Sequence, residues 1–345
     1  MPDPAAETST YGEIGDVRVQ DVVGIKEQTP FERLISSQAF WVTIALAMII
    51  AVMCYLQPQA FATTENIYNI TSNFAYIGIM SVGMVCVIIT GGIDLSVGST
   101  MGLVGVVCGV ILQDGNHWAL AVVAGLAAGM FVGLINGLLI AYAGLSAFVV
   151  TLGMLSFARS VAVVLSGNKM LYEFGPYKAG FKAIGGGEFL GMSHMVWALL
   201  VLAIIFGLVL KFTTWGRHLF AIGGNEQAAR LTGVPVNRVK LEAYIVTGFT
   251  AAVAGIMVVS WQGSAINALG TGYELKVIAS TVIGGANLMG GEGGTYGAFI
   301  GSALLEVIRN SLLMQGIDSN WQGAFVGVFI VLAVLLEKIR GRKRA

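Results

Sequence analysis

An acid with a hydroxyl close by, set inside apolar chain, is the first chemistry on offer. Residues 87–102 read VIITGGIDLSVGSTMG, with Asp94 and Ser96 behind a glycine pair and apolar residues on both flanks. Glycine takes the left-handed backbone that a helix C-terminus needs, so Gly91 and Gly92 end one helix. Asp94 then stands where an N-cap belongs, accepting amide protons at the start of a helix from Leu95 onward. GGANLMGG at 284–291 shares the frame Gly-Gly-x-[Asp/Asn]-Leu-x-x-Gly with GGIDLSVG at 91–98 and puts Asn287 in the place of Asp94. Asparagine caps about as well as aspartate, so one local role covers both. The functional reading is different in kind. A broken helix at membrane depth is tolerated only where protein buries it or a wet cavity borders it, and an ionisable residue there is a pathway candidate. A cap built at a pore wall satisfies both readings.

The second informative stretch is polar: TTWGRHLFAIGGNEQAARLTGVPVNRVKL at 213–241. Within it NEQAARLTG, residues 225–233, predicts a short helix. Asn225 is the N-cap, Glu226 lies in the first turn, Ala228 and Ala229 are strong helix formers, and Gly233 terminates. Two turns are not stable alone. Such a piece is held either by its own bundle or by docking into a partner's groove, and its small residues and basic flanks suit docking.

The elements that must position these residues are membrane helices. The chain is 56% hydrophobic and only 11% charged, with a mean hydropathy of +0.80, whereas soluble domains are about a quarter charged. Zero net charge gives no reason to expect nucleic acid. Cys54, Cys86 and Cys108 all lie in apolar stretches and read as small hydrophobes. Apolar runs of spanning length fall at 40–56, 68–89, 95–113, 118–142, 147–167, 193–212, 241–262, 274–290, 294–315 and 320–338, ten in all. The short joins near 91–94, 143–146 and 290–293 leave room for re-entrant half-helices. The expected organisation is a polar tail at 1–38, an all-α polytopic membrane domain at 39–338 carrying the loop 213–240, and a basic tail at 339–345. Arg18, Lys26 and Arg33, the basic loop and the C-terminal EKIRGRKRA then fall on one side, which the positive-inside rule makes cytoplasmic. The loop at 168–192, with Lys169, Lys178 and Lys182, dissents.

Glycine recurs every fourth residue at 125, 129, 133 and 137, and again at 293, 297 and 301. Such strips let another backbone approach closely, either within one subunit or at a subunit interface.

Taken together, TGGIDLSVGS, FVVTLGMLSFAR at 148–159, the 213–241 loop and GYELKVIASTVIGGANLMGGEGGTYGAFIG at 272–301 resemble the ribose/xylose/galactoside branch of bacterial ABC-importer permeases, from about residue 40 to the end. The resemblance implies a type II importer-like fold in the bacterial inner membrane with both termini cytoplasmic. It implies a permease dimer, a homodimer here, with the sugar path between subunits. A periplasmic sugar-binding protein delivers substrate, and a cytoplasmic ATPase binds ATP and Mg, leaving no cofactor in this chain. Asn225, Glu226, Ala228, Ala229 and Gly233 resemble the family's ATPase-coupling segment. Asp94, Ser96, Phe148 and Thr151, with Asn287 in the second frame, match motifs near the path. After GYEL relatives often carry an acid where this chain has Lys276, so a carboxylate role there does not carry over.

Two other classes compete. An ion-coupled secondary transporter of a small polar solute needs several embedded titratable groups. Here Asp94, Arg159, Glu306 and Arg309 are the embedded charges, and Glu306 with Arg309 has the spacing of a mutual pair. An intramembrane enzyme needs a catalytic set, yet His117, His194 and His218 all fall in loops. The chain has no Gly-x4-Gly-Lys-[Ser/Thr] phosphate loop, as a permease that borrows its ATPase would not. Which sugar is carried is not written in these motifs.

Overall fold

The computed structural model describes residues 37–317 together with residues 35, 321, 323, 324, 327 and 328. The expected tail 1–38 falls almost wholly outside the described residues, as does the tenth run at 320–338 apart from those few positions. The basic tail 339–345 lies outside them entirely, and so do Arg18, Lys26 and Arg33.

From Gln38 onward the chain is a helical bundle. Its helices are α1 (Gln38–Leu56), α2 (Pro58–Phe61), α3 (Thr64–Ile89), α4 (Val97–Gln113), α5 (Trp118–Ala141), α6 (Ala147–Leu165), α7 (Lys178–Gly186), α8 (His194–Phe212), α9 (Thr214–Gly224), α10 (Glu226–Leu231), α11 (Val236–Gln262), α12 (Tyr273–Ile283) and α13 (Thr295–Met314). A two-residue hairpin, β1 (Glu188–Phe189) with β2 (Met192–Ser193), interrupts the loop before α8. Among the described residues seven helices are long and apolar enough to cross a membrane: α1, α3, α5, α6, α8, α11 and α13. The other two apolar runs come out short, α4 at 17 residues and α12 at 11. At 1.5 Å per residue α12 covers about 16 Å. It is a half-helix, not a span, and it ends at Ile283 where the apolar run continued to 290.

Local chemistry explains where the long helices begin. α3 starts four residues ahead of its apolar run because Thr63 accepts the Asn66 amide at 3.2 Å and Glu65 occupies the first turn. α8 is capped by Ser193, whose hydroxyl accepts the Met195 amide at 3.2 Å. α3 and α11 are buried along most of their length and form the centre, while α1, α5, α6 and α8 expose large apolar side chains, as lipid-facing helices do.

Both glycine strips are filled by this chain itself. A Cβ on Gly129 would strike the Gly248 carbonyl, one on Gly133 the Tyr244 carbonyl, and one on Gly137 the backbone of Leu241, so α5 lies directly on α11. Gly297 and Gly301 meet Gly284 and Ser280 in the same manner, seating α13 on α12. Packing within one subunit therefore accounts for both strips.

A third strip went unread in the sequence. Gly98, Gly102 and Gly109 of α4 meet Gly270, Leu269 and Ala265 in turn. The chain leaving α11 thus runs back into the bundle along α4 as non-helical backbone and starts α12 partway through. Its carbonyls lack helical partners and need donors at that depth. Arg159 on α6 supplies them, its Nη1 donating to the carbonyls of Asn267 at 2.5 Å and Leu269 at 2.7 Å.

Candidate functional site

The first break is a compact polar knot. α3 ends in a Schellman turn: Gly91, at φ +78°, donates to the Ile88 carbonyl and Gly92 donates to that of Val87. Asp94 is 2% exposed, and its Oδ1 accepts both the Ser96 amide at 2.8 Å and the Ser96 hydroxyl at 2.6 Å. This corrects the expected N-cap. α4 begins at Val97, and the cap position is held by Ser96, whose side chain makes no capping bond. Asp94 instead closes a turn two residues on, the Asx arrangement that aspartate and asparagine favour. Asn136 of α5 donates its Nδ2 to the Ser96 hydroxyl at 2.9 Å, while its Oδ1 is buried with no partner among the described residues. The Ile93 carbonyl accepts from Thr151 of α6 at 3.4 Å and from the Tyr244 hydroxyl of α11 at 3.5 Å. Helices α5, α6 and α11 therefore each send one polar side chain to the segment between α3 and α4.

The second break repeats the device. α12 also ends in a Schellman turn, with Gly285 at φ +105° donating to Val282 and Ala286 donating to Thr281. Asn287 Oδ1 accepts the Met289 amide at 2.7 Å, the same two-residue turn that Asp94 makes with Ser96. The echo is real as local conformation but slips by one residue. The left-handed glycine precedes Asp94 by three positions and Asn287 by two, because Thr90 takes the place in α3 that Gly284 takes in α12. The two breaks touch: the Gly291 amide donates to the Ile89 carbonyl at 2.9 Å.

Of the other predicted path residues, Thr151 belongs to the knot and is fully buried, while Phe148 is 55% exposed and takes no part in it. Asn136 and Tyr244 were missed. Asn136 is a lone amide on an otherwise apolar helix, which is the signal that was available, whereas Tyr244 follows a polar first two turns of α11 and has no such mark. Of the embedded charges, Glu306 and Arg309 form the mutual pair their spacing predicted. Lys276 lies 5.2 Å from the centre of the Tyr273 ring.

The segment 225–233 lies at the same end of the bundle. The Asn225 side chain caps α10 by accepting the Ala228 amide at 3.0 Å. Gly233, at φ +86°, closes it with a Schellman pair, Gly233 donating to Arg230 and Val234 to Ala229. Glu226 fastens the helix to α11 through Lys240 at 2.5 Å, and Arg230 reaches Asn237 at 3.2 Å. The Lys240 hydrogen bond, with its charge and that of Arg230 adding to it against the effect of partial burial, holds the Glu226 carboxyl below the usual range. The two alanines differ in environment. Ala229 is buried against α9 and α11 of its own chain, with Leu219, Val236 and Val239 in the same cluster, whereas Ala228 is exposed. Leu231 is 88% exposed, a large apolar side chain on a polar helix that the sequence reading passed over. Between this segment and the first break lies a cleft of about 340 Å³, bordered by Gly91, Gly92 and Tyr244 on one side and Glu226, Arg230 and Lys240 on the other.

Among the described residues no group of histidines, cysteines and carboxylates is placed to hold a metal ion. No solved structure matches the chain. The ribose import permease protein RbsC of Escherichia coli (strain K12) is 38% identical over 295 residues, 85% of this chain and 92% of that one. The L-arabinose ABC transporter permease protein AraH of Azospirillum brasilense is 32% identical over 285 residues, 82% of this chain and 83% of its own. The autoinducer 2 import system permease protein LsrC of Salmonella paratyphi B is 34% identical over 296 residues, covering 85% and 84%. Residues 66–334 match the family model described as branched-chain amino acid transport system / permease component, and with most of its length accounted for in this way the chain belongs to that family of membrane transport permeases.

Proposed function

We propose that this chain is the permease subunit of an ATP-driven sugar importer in a bacterial inner membrane. The observation that carries the reading is the 38% identity to a ribose import permease across 92% of its length. The family description mentions branched-chain amino acids, but the relatives above are named for ribose, L-arabinose and autoinducer 2. In this reading the chain pairs with a second copy, takes substrate from a periplasmic sugar-binding protein and is driven by a cytoplasmic ATP-binding subunit that holds ATP and Mg. The loop 213–240 and both termini face the cytoplasm. Asp94, Ser96, Thr151, Asn136 and Tyr244 border the path at the first break and Asn287 at the second, while Phe148 lies on the outer face of α6. Residues 225–233 dock on the ATPase through their exposed side, Gln227, Ala228 and Leu231, because Ala229 is already packed against its own bundle. Asn225, Glu226 and Gly233 hold that helix in shape.

The test is uptake of labelled ribose and arabinose by membranes containing the permease with its ATP-binding subunit and binding protein. Uptake should require ATP and persist when the proton and sodium gradients are collapsed. Uptake that follows an ion gradient and ignores ATP would establish a secondary transporter instead.

A further inference from the structure

Three backbones meet without side chains between them. Gly223, near the end of α9, lies where any Cβ would strike the Ile89 carbonyl oxygen at the end of α3 and the Gly291 amide nitrogen in the second break. Those two groups are hydrogen-bonded to each other at 2.9 Å. Gly290 faces the same point from the other side, with Gly223 and the Gly91 amide as its neighbours. One residue of α9 therefore touches both breaks at once, at the place where they are tied together. Side chains absorb small displacements by changing rotamer, but backbones in direct contact move together or separate. The other end of this contact is equally short. Asn225 both ends α9 and caps α10, so a single residue, Gly224, separates the junction from the docking segment. Gly224 itself has open space around its Cβ position, and the cleft beside Gly91 gives the junction room to shift.

We infer that Gly223 is a positioning residue for transport, the contact through which a displacement of residues 225–233 reaches both broken helices together. The Asp94–Ser96 turn and the Asn287–Met289 turn then change arrangement in one step. The inference rests on the proposed reading of the chain as an ATP-driven permease, with 225–233 as the segment that takes the ATPase.

The readout is the number of sugars carried per ATP hydrolysed, because a loss of folded protein lowers both rates and leaves their ratio alone. Gly223→Ala forces the backbones apart. Insertion of two glycines between Gly224 and Asn225 leaves the three-way contact intact and slackens its link to α10. In both variants the ATP-binding subunit should remain bound and hydrolysing while the ratio collapses. A ratio equal to that of the natural chain, in either variant that reaches the membrane, overturns the inference. If Gly223→Ala does not reach the membrane, the insertion decides alone, since it leaves the packing at Ile89 and Gly291 as it is. Failure of the underlying reading looks different: the natural chain itself would retain no ATP-binding subunit and show no ATP-dependent uptake.

Discussion

Asp94 carries out its local work with an oxygen that asparagine also has. Asp94→Asn keeps an acceptor for the Ser96 amide and hydroxyl, so the variant should reach the membrane in natural amount. Asp94→Ala strips both donors of their partner inside the protein, at about 1–3 kcal/mol for each buried group left unsatisfied. It should show a lower melting temperature in detergent and lower abundance. If Asp94→Asn is abundant yet carries no sugar, the negative charge itself serves the path. The same scale separates the two alanines. Ala229→Arg forces a charge into the chain's own core beside Leu219 and Val236, a penalty of several kcal/mol, and should lower the amount of permease. Ala228→Arg touches nothing in this chain and should leave abundance alone while releasing the ATP-binding subunit on purification. Spacing alone predicted neither difference, because adjacent residues on a helix point about 100° apart and only the packing of α10 on α9 and α11 decides which one turns inward.

At the scale of the element, α10 is two turns held by its ends, by Ala229 in the core and by the polar contacts of Glu226 with Lys240 and Arg230 with Asn237. Lys240 depresses the Glu226 carboxyl, so the native state favours the ionised form. The attachment is complete above the unfolded carboxyl value of about 4.3 and weakens as pH falls through the lower native one. A nitroxide on Leu231→Cys should thus show the restrained motion of an ordered helix surface at neutral pH and gain mobility as pH falls below the ordinary carboxylate range. With Glu226→Gln added the label should move more freely at neutral pH and its motion should no longer depend on pH across the carboxylate range. This element was legible in the sequence down to its cap and terminator, since asparagine and glycine act on their immediate neighbours. The breaks were legible as breaks for the same reason, although the start of α4 came out two residues late. The descent of Ala265–Gly270 along α4 was not legible. Gly263, Gly270 and Gly272 mark a break there, but nothing local says that the chain turns back into the bundle, and the arginine that satisfies its carbonyls lies 108 and 110 positions away.

For the whole molecule, the length of α12 sets a condition on how the protein is made. Eleven residues, about 16 Å, cover roughly half of a ~30 Å hydrocarbon layer, so lipid alone does not retain this helix. Protein does. Gly284 and Ser280 seat it on α13, α3 lies alongside, and the Gln38 amide of α1 donates to the carbonyls of Val282 and Ile283 at its end, 3.2 and 3.0 Å away. α13 is synthesised after α12. The seat of α12 is therefore complete only once the ribosome has delivered α13, although α1 and α3 are made before it. A permease truncated after residue 294 should leave a cysteine at Ala279, which the finished fold buries against Ile300 and Leu304 of α13, open to a water-soluble thiol reagent, and one that ends at residue 317 should protect it. Between those two lengths, quality-control proteases meet a transporter whose half-helix is made but not yet seated.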